Sequence, residues 1–171
     1  QEARIVKTPD EIEKIARAAQ LAHVGFQCAQ EVVESGMTET EIASSVRSLM
    51  VNAGADGNTC LYVATGSRSG LAHTPPREIK IGPGPIVLDF HTAFQGYHAD
   101  MARTLFLGKP TAEQQAMYDC LRDGIYATIE AVTAGMPMLE LKQLFYRNIR
   151  SLPNWIMLAG PIVHGVGAVN M

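Results

Sequence analysis

Apolar and polar positions repeat along this chain with two different periods, and the change of period divides it. Thr8-Pro9-Asp10-Glu11 offers a hydroxyl N-cap, a proline at the first helical position and a glutamate that can reach back to the cap, and Ile12, Ile15, Ala16, Ala19 and Ala22 follow at helical spacing. The pattern predicts a helix to about Glu34, stopped by Gly36. Thr38-Glu39-Thr40-Glu41 repeats the device, with Ile42, Val46 and Leu49 on one face before Gly54, so a helical hairpin is expected. Across residues 59–107 Val, Ile, Tyr, Phe and Thr gather in short runs between glycines and prolines, the chemistry of several short strands and their turns. Thr111-Ala112-Glu113-Gln114 then opens a third helix ending near Gly135, and Pro137 begins a fourth ending before Pro153. Residues 155–171 read as another strand region, apolar and glycine-bearing.

Shifted by 99 positions, the second half of the chain falls on the first. Glu31-Val32-Val33-Glu34-Ser35-Gly36-Met37 meets Glu130-Ala131-Val132-Thr133-Ala134-Gly135-Met136, Glu41-Ile42 meets Glu140-Leu141, and Val63-Ala64-Thr65-Gly66 meets Ile162-Val163-His164-Gly165. Helix-start signals are common enough to recur by chance; the alternative is duplication of a helix-helix-strand unit. Duplication predicts one α/β domain with halves at about 8–107 and 108–171, their sheets packed about a pseudo-twofold and a site between them.

Composition narrows the function classes. A chain of 171 residues makes about one domain, long enough to bury on the order of 70% of its unfolded surface without staples. With 14 Lys and Arg against 17 Asp and Glu, a net charge of −3 and no run of like charges, nothing marks a nucleic-acid or anionic-membrane partner. No stretch is apolar enough to span a membrane, and Gln1-Glu2-Ala3-Arg4 does not open a signal peptide. Cys28, Cys60 and Cys120 are odd in number and far apart, which argues against disulfides and structural zinc. A cytoplasmic, reducing setting is the expectation.

The chemistry concentrates in residues 86–106. They read as two strands about a four-residue turn, Ala93 to Gly96, whose centring puts Asp89 directly across from Asp100. Opposed like charges, with Cβ atoms about 4.5–5.5 Å apart, destabilise a strand pair unless a cation lies between them. Leu88, Val87, Leu105 and Phe106 nearby predict partial burial, so one or two divalent ions would relieve the repulsion and create a Lewis-acid site. Solvent exposure of each aspartate, or neutralisation by Arg103, are the competing readings. His91 shares the strand face of Asp89 and is open as a ligand, a neighbour of the site or a surface residue. His73, in Leu71-Ala72-His73-Thr74-Pro75-Pro76, sits on a loop fixed by proline, where a histidine is usually just solvated. His164, the sole polar side chain in Pro161-Ile162-Val163-His164-Gly165-Val166-Gly167, is either a hydrogen-bonded core histidine or a metal ligand.

The order His73, Asp89, Gly96-Tyr97-His98-Ala99-Asp100-Met101-Ala102-Arg103-Thr104, His164-Gly165-Val166-Gly167 resembles the pita-bread metallopeptidases. That family includes Xaa-Pro aminopeptidases, prolidases, methionine aminopeptidases and creatinase-like hydrolases. Arg4-Ile5-Val6-Lys7-Thr8 with Glu11-Ile12, and the Arg103-Thr104 pair, resemble the Xaa-Pro and creatinase branch, and the likeness runs from about Arg4 to Val169. The resemblance implies a pita-bread fold, a curved antiparallel sheet flanked by the two related halves. It implies a dinuclear centre with ligands Asp89, Asp100 and His164, two divalent ions of the Mn, Fe, Co or Zn group activating a water and polarising the scissile carbonyl, and His73 contacting substrate. A proline-containing peptide substrate and a homodimer follow from the same source.

Three departures accompany it. His91 stands where the family usually has glycine, and Val163 stands where glycine usually precedes the histidine. Two further glutamate ligands belong downstream of His164, and the sequence ends at Met171. The N-terminal domain of many Xaa-Pro enzymes is also missing, so part of a catalytic domain is expected. The leading expectation is a metal-dependent hydrolase cleaving Xaa-Pro bonds. A non-catalytic peptide- or protein-binding scaffold and a creatinase-like C–N hydrolase are the alternatives; retention of both aspartates counts against the last.

Overall fold

The computed structural model describes residues 5–149 and 164–168. They fall into two compact units, the first taking residues up to Lys109 together with the stretch from Gly165, the second running from Pro110 to His164.

In the first unit, helices α1 (Pro9–Val32) and α2 (Glu39–Asn52) precede an antiparallel sheet of strands β1 (Cys60–Thr65), β2 (Gly84–Phe94) and β3 (Tyr97–Leu107), ordered β1-β2-β3. Both helices begin with the expected reciprocal caps: Thr8 and Glu11 exchange side-chain-to-backbone bonds, as do Thr38 and Glu41. The apolar stripe of α1 (Leu21, Ala22, Phe26, Ala29) and that of α2 (Ile42, Val46, Met50) close over Leu61 and Val63 of β1 and Ile86, Leu88 and Phe90 of β2. Helix α1 approaches so closely that a Cβ on Gly25 would lie 2.5 Å from Met50 Sδ and 3.1 Å from the Phe90 ring. One face of the sheet is therefore the core. Because strand side chains alternate, the odd-numbered residues of β2 and the even-numbered ones of β1 and β3 form the other face.

The hairpin register corrects the sequence-based expectation. Phe94 pairs with Tyr97, so the turn is two residues long, Gln95-Gly96, and not the four from Ala93 to Gly96. Asp100 consequently faces His91, and Asp89 faces Ala102. Gln95 and Gly96 both take positive φ, 49° and 76°, the geometry of a tight turn that matches strand twist. Gln95 tolerates it because Asp56 accepts both turn amides, from Gln95 N at 3.1 Å and Gly96 N at 2.8 Å. Asp56→Ala is expected to lower stability by about 1–2 kcal/mol, read from the urea midpoint, since two amides lose a charged acceptor; an unchanged midpoint would show that water replaces it.

The second unit contains α3 (Ala112–Ala131) and α4 (Met138–Asn148). Thr111 and Gln114 form its capping box, while Pro137 caps α4 with no side-chain bond. Gly124 of α3 gives room to Ile149, whose Cγ2 would lie 2.7 Å from an added Cβ. The link between its helices copies that of the first unit. Gly36 and Gly135 hold φ of 93° and 88°, and the bonds Met37 N to Glu34 O and Met136 N to Thr133 O measure 3.3 and 3.1 Å. The expected strand region at 155–171 lies largely outside the described residues; within 164–168 no strand forms.

Candidate metal centre

The face of the sheet turned away from α1 and α2 carries the polar groups. Tyr62 lies beside Asp89 across β1 and β2, and Cys60 beside His91. His91 Nε2 stands between two carboxylates, 3.4 Å from Asp89 Oδ1 and 3.5 Å from Asp100 Oδ2. The three side chains are 18%, 17% and 16% exposed, so solvent screens the charges only partly. The Asp89 carboxylate holds the His91 pKa above the usual histidine range; burial opposes it and Asp100 reinforces it. The Tyr62 hydroxyl is pushed above the usual phenol range, first by its contact with the Cys60 thiol, then by burial and the two aspartates. Cys28, Cys60 and Cys120 form no disulfide with one another.

His73 reaches this face from the loop after β1. Its ring lies 5.4 Å from those of Tyr62 and of His91, edge-on to the latter at 83°. One ligand atom each of His73, Asp89 and His91 lie within 4.8 Å of one another. His73 takes a φ of 48°, a strained conformation for a residue with a Cβ, and the structure around it is correspondingly firm. Thr74 Oγ1 donates to Leu71 O at 2.8 Å, and Arg68 donates to Pro75 O at 2.8 Å. Behind both stands Glu39, fully buried at the first turn of α2. Its Oε1 accepts from Thr65 N and Thr65 Oγ1, each at 2.9 Å, and from Arg68 Nε at 3.3 Å, while Oε2 accepts from Arg77 N at 3.0 Å. One carboxylate thus ties together the chain before and after the His73 loop.

Sequence reasoning put Asp89, Asp100 and His91 on one face and missed how they meet. The direct opposition of the aspartates is replaced by a diagonal with His91 in Asp100's cross-strand position. Arg103 neutralises neither: it belongs to the core-facing set of β3, its guanidinium 5.4 Å from the Phe26 ring and bonded to Ala102 O. His164 belongs to the second unit, in irregular, exposed backbone. Gly167, two residues beyond Gly165, accepts from His98 N at 2.7 Å and so lies beside the start of β3. Glu39 and Tyr62 carried no signal in sequence, since a glutamate inside a capping box and a tyrosine in a strand are ordinary. The donor set fits a divalent transition ion: two carboxylates and two imidazoles on one partly buried face, with no lysine or arginine among them.

Paired helices thus lie on one face of a three-stranded antiparallel sheet and this donor set on the other, an α+β arrangement. The chain belongs to metallopeptidase family M24, whose model matches residues 13–170. It is 30% identical over 166 residues to the Xaa-Pro dipeptidase of Pyrococcus furiosus, covering 96% of this chain and 48% of that protein. The solved prolidase from the same organism superposes with a TM-score of 0.90, over 98% of this chain and 50% of its own. An X-Pro aminopeptidase from Thermotoga maritima follows at 29% identity and a TM-score of 0.80, over 87% and 43%. The chain therefore spans about half the length of the relatives it matches. No helix among the described residues is long and apolar enough to cross a membrane.

Proposed function

We propose that this chain forms the metal-binding part of a peptidase that cleaves Xaa-Pro bonds. The observation that carries the reading is the pair of partly buried aspartates sharing one sheet face in a family of metallopeptidases. Asp89 and Asp100, with His164 as imidazole donor, are the proposed metal ligands, and His73, on the rim of the face, is the proposed contact to substrate. A divalent ion held there supplies Lewis acidity, lowering the pKa of water and polarising a carbonyl at neutral pH. The protein's own part is to fix the carboxylates on two paired strands, whose backbone bonds leave them little freedom, and to keep the face partly shielded.

The proline preference rests on the likeness to relatives named Xaa-Pro dipeptidase. The test is hydrolysis of Ala-Pro against Ala-Ala with added Mn²⁺ or Co²⁺, using the protein that carries this chain. Cleavage of Ala-Pro is expected, with Asp100→Asn lowering it at least about tenfold, because the asparagine amide is a neutral and weaker donor. Equal cleavage by the parent and Asp100→Asn overturns the reading, as does a parent that leaves Ala-Pro intact.

A further inference from the structure

We propose that His91, together with Asp89 and His73, binds one divalent ion of the zinc or cobalt type within the first unit alone, with Asp100 as the adjoining carboxylate. The inference shares Asp89 and Asp100 with the peptidase reading, assigns His91 a role which that reading does not need, and makes His73 a ligand where that reading makes it a contact to substrate.

The spacing carries it. A tetrahedral ion with bonds of about 2.0–2.1 Å sets neighbouring ligand atoms about 3.3–3.4 Å apart. His91 Nε2 lies 3.4 Å from Asp89 Oδ1 and 3.5 Å from Asp100 Oδ2. Those separations match the edge of such a metal polyhedron. His73 adds a second imidazole, its ligand atom within 4.8 Å of those of Asp89 and His91, and its side chain is exposed, so a rotation brings it closer without disturbing the core. Backbone pairing fixes the other three: His91 is registered against Asp100 and Asp89 against Ala102. Charge favours the same outcome, since two carboxylates on one partly buried face attract a cation.

The donor set also selects the ion. Imidazole nitrogen suits zinc, cobalt, nickel or iron, whereas magnesium, calcium and manganese prefer all-oxygen shells. A glycine at position 91 would leave an oxygen-dominated site, so His91 is the residue that moves selectivity toward the nitrogen-preferring ions. Such an ion would sit on the β1-β2-β3 sheet whatever its role in hydrolysis.

The test is a titration of the full chain with CoCl2, followed by visible absorption of the Co²⁺ d–d bands, and with ZnCl2 by calorimetry. The parent is expected to take up one equivalent with intense bands of a four-coordinate ion. His91→Gly is expected to weaken binding at least about tenfold, since even groups that merely orient a ligand act on that scale, and to narrow the preference for Co²⁺ over Mn²⁺. His91→Gln serves as a second variant, with a thermal melt to show that each remains folded. Unchanged affinity in both folded variants overturns the inference, as does a parent that binds no ion. A His91-dependent Co²⁺ site in a protein that does not cleave Ala-Pro would uphold this inference and refute the peptidase reading. Ala-Pro cleavage with ion binding indifferent to His91 would do the reverse.

Discussion

Glu39→Ala is expected to cost the chain about 3–5 kcal/mol of stability, the range for removing one partner of a buried charged network. The side chain is 0% exposed, and every contact it makes is a donor: Thr65 N and Oγ1, the Arg68 guanidinium and Arg77 N. Alanine leaves those donors facing a void that no other carboxylate fills. Glutamine is not a neutral replacement, because its amide would point N–H groups toward Arg77 N or Arg68. It should fall between alanine and the parent. The effect reaches the site, since the Glu39 contacts at Thr65 and Arg77 bracket the loop that holds His73 at a φ of 48°. Urea unfolding of the parent, Glu39→Ala and Glu39→Gln measures the order. Glu41→Ala, which removes only an exposed cap glutamate, is the control and should cost far less. If Glu39→Ala costs no more than Glu41→Ala, the network does not carry the load assigned to it.

The contrast between these two glutamates shows what the sequence makes legible. In Thr38-Glu39-Thr40-Glu41 the capping pair is readable because it is local: cap and partner lie three residues apart and bond to each other. Glu39 bonds to residues 26, 29 and 38 positions away, and nothing in its neighbourhood distinguishes it from a solvated helix-start glutamate. The same division runs through the site. Asp89 and His91 share a face by simple alternation, and the four helices among the described residues are marked by caps, glycines or prolines. The register that brings His91 to Asp100 depends on a turn whose length is set by Asp56 reaching Gln95 and Gly96 from 39 and 40 residues away. Gln-Gly is not the Asn-Gly or Asp-Gly that advertises a two-residue turn, so the hairpin closes one residue later than its sequence indicates. His73 is positioned by contacts of the same long-range kind.

Phe90→Ala is the second large effect, also about 3–5 kcal/mol, and it separates stability from metal binding. Phe90 is 0% exposed at the centre of β2, and its ring stacks on Phe26 of α1 with centroids 4.3 Å apart and planes 10° from parallel. Removing it opens a cavity between α1 and the sheet beside Gly25, which the flexible Met50 side chain can refill only in part. Phe26→Ala should cost a similar amount, because the two rings bury each other. The double variant should be less damaging than the sum by about 0.5–1.5 kcal/mol, the coupling of an aromatic pair. Phe90 lies between Asp89 and His91 in sequence yet points to the opposite face, and backbone pairing with β1 and β3 holds those two residues in place without it. Below its melting temperature the Phe90→Ala protein should therefore bind Co²⁺ with the parent's affinity while unfolding at markedly lower urea. His91→Gly should show the opposite pattern, weak binding with a smaller change in midpoint. If Phe90→Ala weakens Co²⁺ binding in the folded protein as much as His91→Gly does, the two faces of β2 are mechanically coupled, and the centre owes its geometry to the core as well as to the ladder.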